Sequence, residues 1–143
     1  MDGNARSPVR SGSVSGWIGG ADPARRLARE RDRARAGVAQ HLVAYAFQVD
    51  PADIAAPTRR SPDAAFARQA AMYLTHVVFE MSLARVADAF GRDRTTAAHA
   101  CHRIEDGRDD PAFDALMDRL ETVLRSLPRQ SARPPAPEAG RAA

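Results

Sequence analysis

The sequence predicts an all-α fold, a compact bundle of about five helices set between two unstructured ends. Three observations carry this expectation. Apolar residues in the middle of the chain recur every three or four positions and nowhere alternate as a half-buried strand requires. Helix punctuation stands at regular intervals, with Asp22-Pro23, Ser61-Pro62 and Asp110-Pro111 as starts and Gly91 as a stop. Composition is the third: 44% of the 143 residues are hydrophobic but only 6% are aromatic. The core must therefore be built mainly from Ala, Leu, Val and Met, and the length suits one small domain.

Residues 1–21 are rich in Gly and Ser and lack a hydrophobic period, with Trp17 and Ile18 as their bulky apolar residues. They read as a disordered N-terminal arm. Residues 22–127 form the expected domain. A first helix opens at Asp22-Pro23 and runs to about Phe47, with Gly37 as a possible kink. Its leading part, 22–37, is nearly all Arg, Ala and acid, so a solvated face with an Arg26/Glu30 surface pair is expected. The same Arg-rich face has the charge to follow a DNA backbone. In the second half, Val38, Leu42, Tyr45 and Ala46 fall at helical spacing and predict a buried stripe.

Asp50-Pro51 ends that helix, and Asp53-Ile54 reads as a short turn packed inward through Ile54. Pro57 to Pro62 is a basic loop holding Arg59 and Arg60. The next helix starts at Ser61-Pro62-Asp63 and is expected to reach about Met81, with Phe66, Ala70, Tyr73, Leu74, Val77 and Val78 on its apolar face. Ser82 caps a short helix, Leu83 to Phe90, with Val86, Ala87 and Phe90 inward. Gly91 follows, free to take positive φ. A further helix from near Asp93 to about Asp106 carries Ala97, Ala98, Cys101 and Ile104 on one face. The last opens at Asp110-Pro111 with the stripe Phe113, Leu116, Met117, Leu120, Val123, Leu124 and Leu127. Residues 128–143 contain Pro134, Pro135 and Pro137 among small and charged residues. Such a segment cannot bury enough apolar area to offset chain entropy, so a disordered tail is expected.

All 21 basic residues are Arg, yet 18 acidic residues hold the net charge to +3. The balance allows a nucleic-acid partner without requiring one. Cys101 is the only cysteine, which excludes an intramolecular disulfide and a four-Cys zinc site. His99, Cys101 and His102 do not make a metal site, since Cys101 belongs to the core face and no second ligand cluster exists. Asp109 and Asp110 precede a helix, where acid complements the dipole, and carry no acid–base role. No run of residues is apolar enough to span a bilayer and no secretory signal is present. No enzyme, cofactor or metal is expected, and a cytoplasmic, nucleoid-associated protein is the simplest placement.

A short helix, a tight Gly turn and a helix that begins with polar and charged residues make a helix-turn-helix, here within residues 59–108. The major groove admits one α-helix, whose first turn points at base edges. That turn reads Arg92-Asp93-Arg94-Thr95-Thr96. Arg pairs bidentately with guanine, Asp accepts from cytosine N4, and the Thr methyl packs on the thymine methyl. The same Asp93 and Thr95 also suit plain helix capping.

Two blocks then resemble the C-terminal DNA-binding domain of the bacterial replication initiator DnaA. The first is Ala67-Arg68-Gln69-Ala70-Ala71-Met72-Tyr73-Leu74. The second is Phe90-Gly91-Arg92-Asp93-Arg94-Thr95-Thr96-Ala97-Ala98-His99-Ala100-Cys101, continued by His102-Arg103-Ile104. The resemblance spans roughly Val38 to Leu127, and one Gly is missing from the turn. It implies double-stranded DNA as the partner. Arg60 would enter the minor groove, where narrowing strengthens the negative potential. Arg68 and Gln69 would touch backbone and base edges, and Asp93, Thr95 and Thr96 would read the major groove. Arg92 is placed for phosphate or base, His99 matches a family His, and Leu83 would pack on the sugar-phosphate backbone.

Departures from the family pattern bear on the target. Arg94 replaces the usual His at a base-contacting position, and Ala97 replaces a Val. His76 stands where the family has a phosphate-facing Lys, so a neutral ring there weakens that contact. A chain without Lys holds no Walker motif, so no nucleotide partner is expected and the DNA reader stands alone. The favoured function is sequence-specific DNA binding that regulates transcription or replication initiation at sites like the DnaA box. Non-specific architectural binding, or a protein-interaction module that has lost DNA binding, are the alternatives. Oligomeric state is left open by the sequence.

Overall fold

The computed structural model describes residues 22–57 and 61–128, all of whose regular elements are helices. They are α1 (Pro23–Phe47), α2 (Pro51–Ala55), α3 (Pro62–Val78), α4 (Leu83–Phe90), α5 (Arg94–Gly107) and α6 (Pro111–Ser126). The all-α class stands, with six helices where about five were expected. The extra one is the Asp53-Ile54 turn. Asp50 caps it by accepting from the Ala52 amide, and Pro51 fits its first turn. Ile54 is its buried anchor. The N-terminal arm 1–21, residues 129–143 of the tail, and Thr58, Arg59 and Arg60 lie outside the described residues.

Helix α3 runs through the middle of the bundle and touches every other helix. Six consecutive residues, Ala70 to Thr75, are buried. A helix enclosed on all sides has no wet face, and Thr75 hides its hydroxyl by donating to the Ala71 carbonyl (2.7 Å). Small residues do the spacing: Ala67, Ala70 and Ala71 join Ala39, Val43 and Ala44 of α1 in one cluster with Leu74, Ile104, Met117 and Leu124. A second cluster around Met72, Met81, Val86, Ala97 and Ala100 joins α3 to the α4–α5 pair. The shared helix α3 thus holds the helix-turn-helix to the rest.

Two expectations need correction. The buried stripe of α1 is Ala36, Ala39, Val43 and Ala44, not Val38, Leu42, Tyr45 and Ala46. Leu42 and Ala46 are half-buried, Val38 is exposed, and Tyr45 is 86% exposed. Close approach to the alanine-rich α3 selects the face with the smaller side chains, which turns the bulkier one outward. Helix α3 stops at Val78 rather than near Met81. Glu80 adopts φ 53°, which no helix accommodates, and this turn lets Met81 drop into the second cluster. Helix α1 passes Gly37 without interruption.

The Arg-rich start of α1 is more than a solvated face. Among the described residues, no ion pair joins Arg26 to Glu30. Instead, Arg29 forks onto Asp88 (2.9 and 3.1 Å) and Arg85 forks onto Asp32 (2.6 and 2.9 Å). Moving from Asp32 back to Arg29 on α1 moves from Arg85 forward to Asp88 on α4, so the two helices run antiparallel. Asp32 is only 5% exposed, and its partner holds a guanidinium raised above its ordinary value by that hydrogen bond. Bidentate Arg–carboxylate forks fix orientation as well as distance. Removing the acceptor in Asp32→Ala is expected to destabilise the fold by about 1–3 kcal/mol. Urea unfolding at neutral pH measures this, with the exposed pair in Arg29→Ala showing the smaller effect; equal effects would contradict the assignment.

Candidate nucleic-acid interface

Ser82 opens α4 by accepting from the Arg85 amide, and Gly91 closes it at φ 63°. Two bonds finish the helix, from Gly91 N–H to the Asp88 carbonyl and from Arg92 N–H to the Ala87 carbonyl (3.1 and 2.8 Å). This is the double closure that a left-handed glycine permits. The chain then reverses into α5 within three residues. Asp93 sits at the N-cap, and its carbonyl accepts from the Ala97 amide (3.1 Å). Its carboxylate makes no capping bond. The simple capping role expected from sequence is therefore absent, and the side chain stays available. Asp93, Arg94, Thr95 and Thr96 are consecutive and all exposed at the positive end of the helix dipole.

Arg68 and Arg92 converge on one feature, the carbonyls at the end of α2. Arg68 donates to Ile54 (2.8 Å), Asp53 and Ala56 (both 3.3 Å). Arg92 donates to Ala56 (2.7 Å) and Pro57 (3.1 Å). A helix end leaves carbonyls without partners, and these two guanidiniums supply them. Burial pushes the Arg68 guanidinium below its ordinary value, and the neighbouring Arg92 charge acts the same way. Their joint effect is to fix the entry of the basic loop. Arg60, expected in that loop, lies outside the described residues.

Next to this clamp, a polar cleft of about 340 Å³ opens between the start of α3 and the outer face of α5. Arg68, Gln69 and Arg92 line it together with His99 and Arg103. The Arg103 guanidinium sits 5.7 Å from the centre of the Phe66 ring. Gln69 Oε1 is buried there without a hydrogen-bond partner. Arg103 was missed as a cleft residue because its neighbour Phe66 is remote in sequence. The signal available was the i, i+3, i+7 stripe of Thr96, His99 and Arg103.

The remaining expected residues sit apart from the cleft. His76 is half-buried, and its Nδ1 bonds the Met81 carbonyl (2.6 Å). A carbonyl only accepts, so Nδ1 carries a proton and donates it to Met81. Leu83 is half-buried against both apolar clusters. Burial, reinforced by Glu105, pushes the Cys101 thiol up to about 11, so it is protonated packing rather than a nucleophile. Among the described residues, no group of three His, Cys, Asp or Glu side chains is placed to hold a metal. No described helix is long and apolar enough to cross a membrane.

A family model described as the bacterial dnaA protein helix-turn-helix matches residues 38–104. The matched stretch takes in α3, α4, Gly91 and most of α5. Two solved structures align with the chain at a TM-score of 0.61. One, a DNA replication initiation factor, is 30% identical over 71% of this chain and 31% of its own length. The other, the replication initiator DnaA bound to AMPPCP and single-stranded DNA, is 29% identical over 76% of this chain and 33% of its own. The chain thus spans about a third of the structures it matches. Within the matched segment, α4, Gly91 and α5 supply the two helices and the turn of the helix-turn-helix.

The Arg68 clamp is made entirely with acceptors of the protein itself. Arg68→Lys keeps the charge but cannot span three carbonyls from one head group. The substitution is expected to cost about 1–3 kcal/mol of stability without DNA present. Chemical denaturation checks it, and an unchanged midpoint would show the carbonyls to be satisfied otherwise.

Proposed function

We propose that this domain binds double-stranded DNA sequence-specifically and regulates transcription or replication initiation at sites like the DnaA box. The supporting observation is the first turn of α5. Four exposed side chains stand there in succession, and the Asp93 carboxylate is free of capping duty. With that turn in the major groove, Asp93 accepts from cytosine N4, Arg94 pairs with guanine, and Thr95 and Thr96 offer methyl and hydroxyl contacts. Arg60 takes the minor groove beside it. Arg92 and Arg68 hold the carbonyls of Ala56 and Pro57, and Gln69 and His99 contribute from the cleft. Leu83 packs on the sugar-phosphate backbone. His76 donates to phosphate only as the imidazolium, since Nδ1–H is spent on Met81.

Selection from a random duplex pool is the direct test, and an enriched motif is expected. A pool that stays random would replace this proposal with sequence-independent binding. Thr96→Ala is expected to weaken binding to the selected site by about 1–3 kcal/mol while leaving scrambled duplex unaffected. Arg94→His is expected to move the selected motif toward the consensus DnaA box. An unmoved motif would remove Arg94 from the base-reading set.

A further inference from the structure

The cleft between α3 and α5 extends the surface beyond the base-reading turn. We propose that Arg103, with His99 and Gln69, grips a backbone phosphate of the bound duplex, which rests on the reading of α5 as the groove helix. Thr96, His99 and Arg103 are all exposed and share one face of α5. Seven residues separate Thr96 from Arg103, about 10 Å along the axis at 1.5 Å per residue. The major groove is about 12 Å wide. A helix whose first turn reaches base edges therefore brings Arg103 to the groove wall, where the phosphates lie.

The local chemistry fits an anion. Arg68 and Arg92 commit most of their donors to carbonyls but keep their charges beside the cleft, so they add a positive field to it. Among the described residues, Arg103 makes no ion pair; its guanidinium lies beside the Phe66 ring with its N–H groups uncommitted. Gln69 adds the remaining piece. A half-turn of its amide exchanges the orphaned Oε1 for Nε2 and presents two donors to the same space. Phe66 orients Arg103 through its ring face, so little side-chain freedom remains to be lost on contact.

The test measures binding of the full chain to a short fluorescent duplex across a salt series. Removing one phosphate contact lowers the slope of log K against log salt by about 0.9. Arg103→Met is therefore expected to show that smaller slope and an affinity about eightfold weaker at about 0.1 M salt. The loss applies equally to selected and scrambled duplexes, because a phosphate carries no sequence. Arg103→Lys restores the slope, and Arg119→Met on α6 leaves it unchanged. Should the Met variant melt early, Arg103→Gln takes its place. A wild-type slope in both neutral variants overturns the proposal and leaves the domain a DNA binder. No salt-dependent binding by the unaltered chain overturns the functional reading as well.

Discussion

A helix with neighbours on every side can be built only from side chains that leave room for them. Helix α3 obeys this constraint, and the other five elements take their positions from it. Its alanines set how close α1 comes, and that distance decides which face of α1 is wet. Its larger residues, Met72 and Leu74, enter different clusters and tie the two parts of the molecule to one axis. Both ends of α3 carry polar residues of the candidate interface, Arg68 and Gln69 at the start and His76 near the finish. Misplacing α3 would disturb the core and the candidate interface together.

Arginine serves two purposes here, and hydrogen bonding separates them. Arg68, Arg85, Arg92 and Arg108 have their head groups occupied by protein acceptors. Arg108 is the extreme case, bonded to Asp114, Asp118, Glu121 and the Tyr73 hydroxyl. Burial alone would lower its affinity for the proton, but these partners outweigh it and hold the guanidinium well above its ordinary value. Arg94 and Arg103 lack such partners and point their donors outward. The modest net charge thus conceals a division: acid gathers from Glu105 to Glu121, while guanidiniums without a protein acceptor among the described residues stand on α5, at Arg94 and Arg103, and along the exposed start of α1.

Local signals were legible in the sequence because their causes are local. Asp22, Ser61, Ser82 and Asp110 cap the helices they were expected to cap, and Gly91 takes its left-handed turn. The two motif blocks likewise placed α4 and α5 and the exposed first turn of α5. What escaped was pairwise and remote. Nothing near Asp32 announces Arg85, 53 residues away, and nothing near Arg103 announces Phe66. The α1 stripe was misjudged by favouring bulk over fit, and the end of α3 by not foreseeing Glu80 in a left-handed turn. Arg68 and Arg92 were recognised as important, but the carbonyls they hold belong to a helix only five residues long.

The antiparallel forks between α1 and α4 also have a mechanical side. Helix α1 is 25 residues long, roughly 37 Å, and its first nine residues are all exposed. Asp22 lies about 10 Å beyond the Arg29–Asp88 pair, at 1.5 Å per residue. The start of α1 is therefore a handle bolted to the first helix of the helix-turn-helix at two points, Arg29 and Asp32. Two attachment points resist rotation where one would act as a swivel. A load applied at Asp22 is delivered to α4 as torque, so turning the start of α1 turns the first helix of the helix-turn-helix.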